Sequence, residues 1–423
     1  MNTNASFWKA GHPPTLFSAF LYFDVSFMIW IMLGALGNDI AGDLHLSPAQ
    51  KGLMTAIPLL GGSLLRVVFG QLADRIGPRK AGCIGMVLTV LPLLGGWLWA
   101  DSIEKVYAIG LLLGVAGASF AVALPMASRW YPPKYQGLAL GIAGAGNSGT
   151  ILSAFFAPRL AEALGWHAIF GLAIPPLVLV AIVFVIFARE APGSVKPASA
   201  ADFFAILAER DTYLFGLFYG VTFGGFVGLS SFLSILLHDQ YGISKIAAGD
   251  LTSLCVVAGS FLRPVGGLLA DRLGGIRMLS ILYGAAALLA LGVGQLPALW
   301  LAGTLLFLLM GCLGIGNGCV FQLVPQRYGK RVGIATGILG AAGGLGGFFL
   351  PTIVGSLKQI TGSYASGLAV LAGLAVMALT ALAVAQMDWV GVWIARHGRV
   401  KSDRDISPAP ARLECKVLNG TQG

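Results

Sequence analysis

The chain has 423 residues, 57% of them hydrophobic and 11% charged, with a formal net charge of +9 and a mean hydropathy of +0.82. That composition excludes a soluble enzyme built around one large core and indicates a polytopic membrane protein. The positive charge does not describe a nucleic-acid surface, because Lys and Arg are sorted by segment rather than gathered on one face.

A span needs about 20 apolar residues, and twelve candidates follow in chain order. The first six are Leu16–Leu36, Gly52–Ala73, Ala81–Ala100, Tyr107–Ser128, Gly137–Leu160 and His167–Ala188. The second six are Tyr213–Leu237, Asp250–Ala270, Met278–Leu296, Leu299–Leu323, Gly333–Leu357 and Tyr364–Met387. The first run is too long for a cleavable signal and lacks a basic leader and a small-residue cleavage site, so it is expected to remain as a span. With the N-terminus placed in the cytoplasm, only Lys51, Lys105, Arg159, Lys245 and Lys358 fall in outer segments, and Arg66 and Arg263 fall inside spans. All other Lys and Arg lie in cytoplasmic segments, which puts both termini inside. The basic residues after the last span, Arg396, Arg399, Lys401 and Arg404, are placed to meet anionic headgroups. The five cysteines are scattered and mostly inside spans, without disulfide or metal spacing. No nucleophile–base set appears, so neither a catalytic residue, a metal nor a cofactor is expected.

The chain repeats itself. Gly61-Gly62-Ser63-Leu64-Leu65-Arg66, followed by Gly70 and Ala73-Asp74-Arg75-Ile76-Gly77, returns as Ala258-Gly259-Ser260-Phe261-Leu262-Arg263, Gly267 and Ala270-Asp271-Arg272-Leu273-Gly274. A second pair sets Arg129, Gly137, Gly141 and Gly144 against Arg327, Gly333, Gly337 and Gly340. The expected organisation is an all-α membrane protein of two six-helix halves, residues 1–190 and 212–388. A linker at 191–211 joins them, and a tail follows at 389–423. Two such halves rocking around a midplane site are the plan of a secondary transporter.

Two arginines then stand out. Arg66 and Arg263 sit eight residues before Asp74 and Asp271, inside apolar runs. A charge at bilayer depth costs at least about 2.5–3.5 kcal/mol and is normally kept for function. Arg cannot escape by deprotonating, so two fixed positive charges at matched depth suggest a small-anion site. Counting a rise of ~1.5 Å per residue places Arg66 and Arg263 about 12 Å from the cytoplasmic boundary. Asp24, Asn147, Asn317, Phe120, Tyr219 and Phe223 count to the same layer. Alternatives stand beside each assignment. The arginines could be satisfied by backbone carbonyls, the asparagines could join helices, and the aromatics could be packing residues. Asp24 could carry a proton or form a lasting ion pair with one arginine.

Two helices are glycine-dense: Gly141-Ile-Ala-Gly144-Ala-Gly146-Asn-Ser-Gly149 and Gly337-Ile-Leu-Gly-Ala-Ala-Gly343-Gly344-Leu-Gly346-Gly347. Small-residue spacing supports close packing. Gly144, Gly146, Gly149, Gly343, Gly344 and Gly346 are also expected to let helices slide and to expose backbone to a cavity. The loop Gly70-Gln-Leu-Ala-Asp74-Arg75-Ile-Gly77-Pro-Arg79-Lys80 resembles the helix 2–3 loop motif of the major facilitator superfamily, with a degraded copy ending at Arg277. Asp74, Arg75, Arg79, Asp271 and Arg272 are expected to form conformational latches, with topogenic charge as the alternative.

With Arg66, Arg263 and the two glycine-rich helices, the chain resembles the nitrate/nitrite porter family of that superfamily. The matching residues include Gly11-His-Pro-Pro-Thr-Leu, Phe20-Leu-Tyr-Phe-Asp24-Val-Ser-Phe-Met-Ile-Trp30, Lys51-Gly-Leu-Met-Thr-Ala-Ile-Pro58, Ala116-Gly-Ala-Ser-Phe120, Arg129-Trp-Tyr-Pro-Pro133, Gly144-Ala-Gly-Asn-Ser-Gly149 and Gly343-Gly-Leu-Gly-Gly-Phe348. The likeness looks closest to the bacterial assimilatory branch, which implies the inner membrane and a monomer. It implies that Arg66 and Arg263 clamp nitrate or nitrite between Phe120 and Tyr219, with Phe223 and Asn147 beside it. Gly343-Gly344 stand where Gly146-Asn147 stand in the first half, so an asymmetric site is expected.

An inside-negative potential opposes anion uptake by about 2.3 kcal/mol per charge per 100 mV. Accumulation therefore needs proton symport, with at least two protons per nitrate if the potential is to drive it, or exchange for another anion. Asp24 is the only acidic residue placed deep in a span, which makes it the proton-coupling candidate. The alternatives are a nitrate/nitrite exchanger, a carrier of another small anion such as formate or oxalate, and a membrane receptor without turnover.

Overall fold

The computed structural model describes residues 6–192 and 200–394, together with Gly398. Residues 193–199 of the expected linker, and Arg396, Arg399, Lys401 and Arg404 of the tail, lie outside the described residues. No β-strand occurs among the described residues. The first half consists of α1 (Pro13–Trp30) and α2 (Pro48–Ile76), α3 (Pro78–Leu98), α4 (Ile103–Ser128), α5 (Leu138–Leu164) and α6 (Trp166–Phe187). The second consists of α7 (Arg210–Tyr241), α8 (Lys245–Leu273), α9 (Gly275–Gly294), α10 (Leu299–Tyr328), α11 (Val332–Thr361) and α12 (Ala365–Trp389).

Eleven of these helices are long and apolar enough to cross a membrane, all but α1. The reason lies in its sequence: its 18 residues include Pro13, Pro14 and Asp24. The same rod continues through the short turns Met32–Ala35 and Gly37–Asp43. Several helices overrun the expected spans. α2 and α8 each have 29 residues, more than the ~20 that a bilayer needs, so their ends project beyond it.

Local chemistry sets the ends. Ser47 and Gln50 form a reciprocal capping box at the start of α2, and Ser244 caps α8 by accepting from the Ala247 amide. At the other end the repeated Asp-Arg-x-Gly supplies a stop. Gly77 and Gly274 take φ of 91° and 98°, a region that side chains rarely adopt.

The halves meet along α2 with α11 and α5 with α8. The two faces of the molecule differ. On the far side, away from the N-terminal segment, Lys51 pairs with Asp239 at 2.7 Å, Lys245 with Asp39 at 2.8 Å and Arg159 with Asp250 at 2.7 Å. Each pair joins the two halves. The Tyr364 hydroxyl adds a bond to Asp239 at 2.9 Å, and Gly52 and Gly355 let α2 and α11 touch through backbone. On the terminal side a cavity of about 130 Å³ separates α2 and α4 from the start of α11. The short linker helix Ala200–Leu207 contributes Phe203 to its wall. The structure is closed on the far side and open on the terminal side.

Candidate functional site

The inner end of that cavity is Arg66, which has no exposed surface. Its Nε donates to the Gly117 carbonyl at 3.0 Å and its Nη1 to the Gly340 carbonyl at 2.6 Å. It therefore bridges α4 of one half and α11 of the other. Three rings surround its guanidinium, with centroids at 4.9 Å for Trp30, 4.9 Å for Phe120 and 5.2 Å for Phe223. Its Nη2 has no hydrogen-bond partner.

Arg263 is 6% exposed. Its Nη2 lies 3.4 Å from the Tyr219 hydroxyl, and its guanidinium is 5.6 Å from the Phe321 centroid. Its Nη1 is buried and unpartnered. Tyr219 stacks on Phe223 at 5.0 Å and 9°, and meets Phe321 edge-on at 5.0 Å. Neither arginine has an acidic partner among the described residues. The carbonyl alternative thus accounts for two nitrogens of Arg66 and leaves one Nη of each guanidinium without a partner.

The helices deform where these groups sit. α7 widens to a π-turn over Gly220–Gly224, between Tyr219 and Gly225, and such bulges gather at functional sites. α5 tightens to a 3₁₀ turn over Ala145–Ser148. Asn147 on that turn and Asn317 on α10 have no exposed surface, and all four of their amide atoms lack partners. A buried amide without partners costs about 1–3 kcal/mol, so these groups are suited to a polar occupant.

The glycines explain the close approach. A Cβ at Gly343 would lie 2.6 Å from the Tyr219 ring and 3.0 Å from Phe223. One at Gly344 would strike the Ser63 hydroxyl, and one at Gly346 would lie 2.5 Å from the Gly220 carbonyl. Gly146 lies against Phe23 and the Asp24 amide, Gly149 against the Asp24 carbonyl, and Gly144 against the Arg263 guanidinium.

Asp24 forms no ion pair with either arginine. It is half-buried between α1 and α5, where it accepts from the Ser148 hydroxyl at 2.7 Å. The reading of Asp24 as a lasting arginine partner does not hold in this conformation, because the acid faces α5.

At the terminal side Asp74 pairs with Arg129 at 2.8 Å, both in the first half. Arg79 donates through Nη2 to the Val185 carbonyl at 2.6 Å, and its amide donates to Glu190 at 2.9 Å. Arg75 is exposed on the cavity wall. Asp271 and Arg272 are exposed and form no ion pair among the described residues. In the second half the ion pairs are made instead by Arg327, with Asp211 and with Glu209 at 2.9 Å. Arg331 joins Glu209 at 2.6 Å.

Sequence reasoning missed Trp30, Phe321, Ser148 and the two accepting carbonyls. Phe321 had a signal, since it stands four residues after Asn317 and shares its helix face. Trp30 ends the family-matching run that begins at Phe20, but nothing in that run pointed to Arg66; its indole is fixed by donation to the Pro58 carbonyl at 2.6 Å.

The sequence profile of the Major Facilitator Superfamily matches residues 17–351. The chain belongs to that superfamily. The chain is 35% identical over 377 residues to the nitrite extrusion protein of Bacillus subtilis, covering 89% of this chain and 93% of that one. It is 36% identical over 365 residues to the probable nitrate/nitrite transporter NarK2 of Mycobacterium tuberculosis, covering 84% and 92%. It is 33% identical over 358 residues to the probable nitrate transporter NarT of Staphylococcus carnosus, covering 84% and 92%. Relatives this similar over this length put it in the nitrate/nitrite porter family, as a transporter and not an enzyme. Two solved structures share the fold. A bacterial homologue of the lysosomal transporter Spinster has a TM-score of 0.66 at 18% identity, covering 88% of this chain and 96% of that one. The human organic anion transporter MFSD10 has a TM-score of 0.69 at 16% identity, covering 88% and 99%.

Proposed function

We propose that this protein takes up nitrate or nitrite in symport with protons, by alternating access around the Arg66–Arg263 layer. One observation carries the anion reading. Two buried arginines, one from each half, have no carboxylate partner among the described residues, and each keeps a buried Nη without a partner. A small planar monoanion supplies the missing charge and in-plane acceptors for both guanidinium forks. Tyr219, Phe223, Phe120 and Phe321 supply flat apolar walls, and Asn147 and Asn317 supply amide donors. The names of the family relatives agree with nitrate and nitrite as the anion.

In this reading Asp24 carries a coupling proton, and the Asp74–Arg129 pair and the Arg327 cluster act as terminal-side latches. The protein works as a monomer in a bacterial inner membrane with both termini in the cytoplasm, so the open cavity faces inward. The test uses proteoliposomes with a trapped pH dye and an imposed inside-negative potential. Nitrate added outside, with no anion trapped inside, is expected to acidify the interior, and Asp24→Asn to abolish that signal. Full proton-coupled uptake by Asp24→Asn refutes the role of Asp24.

A second reading, obligatory nitrate/nitrite exchange, is favoured by the same pair of arginines. An empty site must cross the closed state with two uncompensated positive charges, and burying such charges is costly. In that case uptake requires nitrite inside and produces no pH change.

A further inference from the structure

We propose that the 3₁₀ turn of α5 couples proton to anion, with Ser148 as the positioning residue that passes the state of Asp24 to Arg263. The inference rests on the symport reading and names the element that links its two sites.

Three contacts lie within six residues. At one end, Gly144 lies against Arg263: a Cβ there would be 3.6 Å from Cζ and 3.9 Å from Nη1. That Nη1 is the atom without a partner, and the contact crosses between the halves. At the other end, Ser148 donates to Asp24 Oδ1 at 2.7 Å. Between them sits Asn147, fully buried with both amide atoms unpartnered. The segment cannot drift from α1, because Gly146 and Gly149 bring it into contact with the Asp24 amide and carbonyl. Movement of one is therefore felt by the other.

Ser148 has two acceptors within its reach in a helix. One is the Asp24 carboxylate. The other is the carbonyl four residues back, the ordinary partner of a helical Ser, and that carbonyl belongs to Gly144. While Asp24 is ionised, the hydroxyl donates to it and the turn stays tight. When Asp24 takes up a proton, the carboxyl no longer needs that donor. The Ser148 hydroxyl then turns to Gly144, and the turn relaxes toward α geometry. Asn147 and the backbone beside Arg263 Nη1 shift together. Among the described residues of α4, α5 and α6 no other charge pairs with Asp24, and α2, which also packs on α1, brings Arg66, whose hydrogen bonds go to Gly117 and Gly340 and not to Asp24. On α5, Arg159 and Glu162 lie eleven and more residues beyond Ser148. On α6, His167 is at the first turn, bonded to the Ala100 carbonyl. On α4, Glu104 and Lys105 are at the far-side start and Arg129 is at the terminal end, paired with Asp74.

The test is nitrate binding to the purified full-length protein by calorimetry at pH 6 and pH 8. The wild type is expected to bind more tightly at pH 6, by a coupling factor of about 5- to 150-fold. Ser148→Ala and Ser148→Gly are expected to bind nitrate with that factor reduced to about twofold or less, and Ser148→Thr to restore it. Adding Ser148→Ala to Asp24→Asn is expected to change nothing further. Wild-type pH dependence in both hydroxyl-free variants overturns the inference alone. Wild-type binding that is independent of pH overturns it together with symport, and absence of nitrate binding overturns the substrate itself.

Discussion

Replacing Arg66 by Lys preserves the charge and removes the fork, which separates electrostatics from geometry. Arg66 uses Nε for the Gly117 carbonyl and Nη1 for the Gly340 carbonyl, and only Nη2 is left for an anion. These three nitrogens point in different directions from one plane. An ammonium has three donors on a single atom, on a stem that ends short of the fork. It can keep a carbonyl or reach the anion, but it cannot reproduce the bridge between α4 and α11 and the anion contact together. Losing one hydrogen bond to a charged group costs about 1.5–3 kcal/mol. At 1.4 kcal/mol per decade, that weakens nitrate binding by roughly 10- to 150-fold. Calorimetry on detergent-purified wild type and Arg66→Lys, at fixed salt and pH, measures it. The wild type must bind nitrate for the comparison to hold. A dissociation constant within threefold of wild type would show that net charge alone holds the anion, and that the fork is incidental.

Other expectations follow from the packing. Gly149→Ala drives a methyl into the Asp24 carbonyl and is expected to cost about 1–3 kcal/mol, seen as a lowered thermal midpoint. Gly337→Ala enters open space and should leave the midpoint in place. Asp239→Asn releases Lys51, and the partly buried pair is worth about 1 kcal/mol or less, so the far-side-open population should rise by up to about fivefold in distance measurements between spin labels. His12 caps α1, its Nδ1 accepting from the Thr15 amide at 3.2 Å. Burial, and then the charge of Arg189, hold the His12 imidazole below its usual range. Its neutral form is therefore favoured in the fold, and its contribution is present above the ordinary histidine value and lost as pH falls. Protection factors at Thr15 and Leu16, exchange rates divided by the intrinsic rate at each pH, should fall on acidification in the wild type. In His12→Asn, which keeps an acceptor that does not titrate, they should stay flat.

Much of the architecture could be read in the sequence because it depends on local signals. Apolar runs gave the helices, and the Arg66/Arg263 repeat gave two halves with matched charges. Where the sequence fell short, distance along the chain is the reason. Gly117 and Gly340 accept from Arg66 only because α4 and α11 meet there, and a carbonyl carries no identity in a sequence. Trp30 reaches Arg66 through the way α1 packs on α2. Asp24 counts to the same layer as the arginines, but depth is one coordinate, and the turn of α1 that aims it at Ser148 is another. The repeat also misled. Asp271 copies Asp74 in position, while the partners of Arg327 come from Glu209 and Asp211, where the linker enters α7. Residues that lie outside the duplicated pattern cannot be found by aligning it to itself.

The far-side ion pairs make the resting shape of this carrier a function of its bathing medium. Lys51–Asp239, Lys245–Asp39 and Arg159–Asp250 all join the halves, and their side chains are between 12% and 42% exposed. Charges so placed feel dissolved electrolyte, whose screening length falls from about 30 Å at 0.01 M to about 8 Å at 0.15 M. At contact distance that screening is modest, so more salt is expected to weaken each pair slightly and to raise the far-side-open population by a small factor. Three weak pairs spread over one face respond together, which makes ionic strength a gentle conformational lever with no binding site of its own.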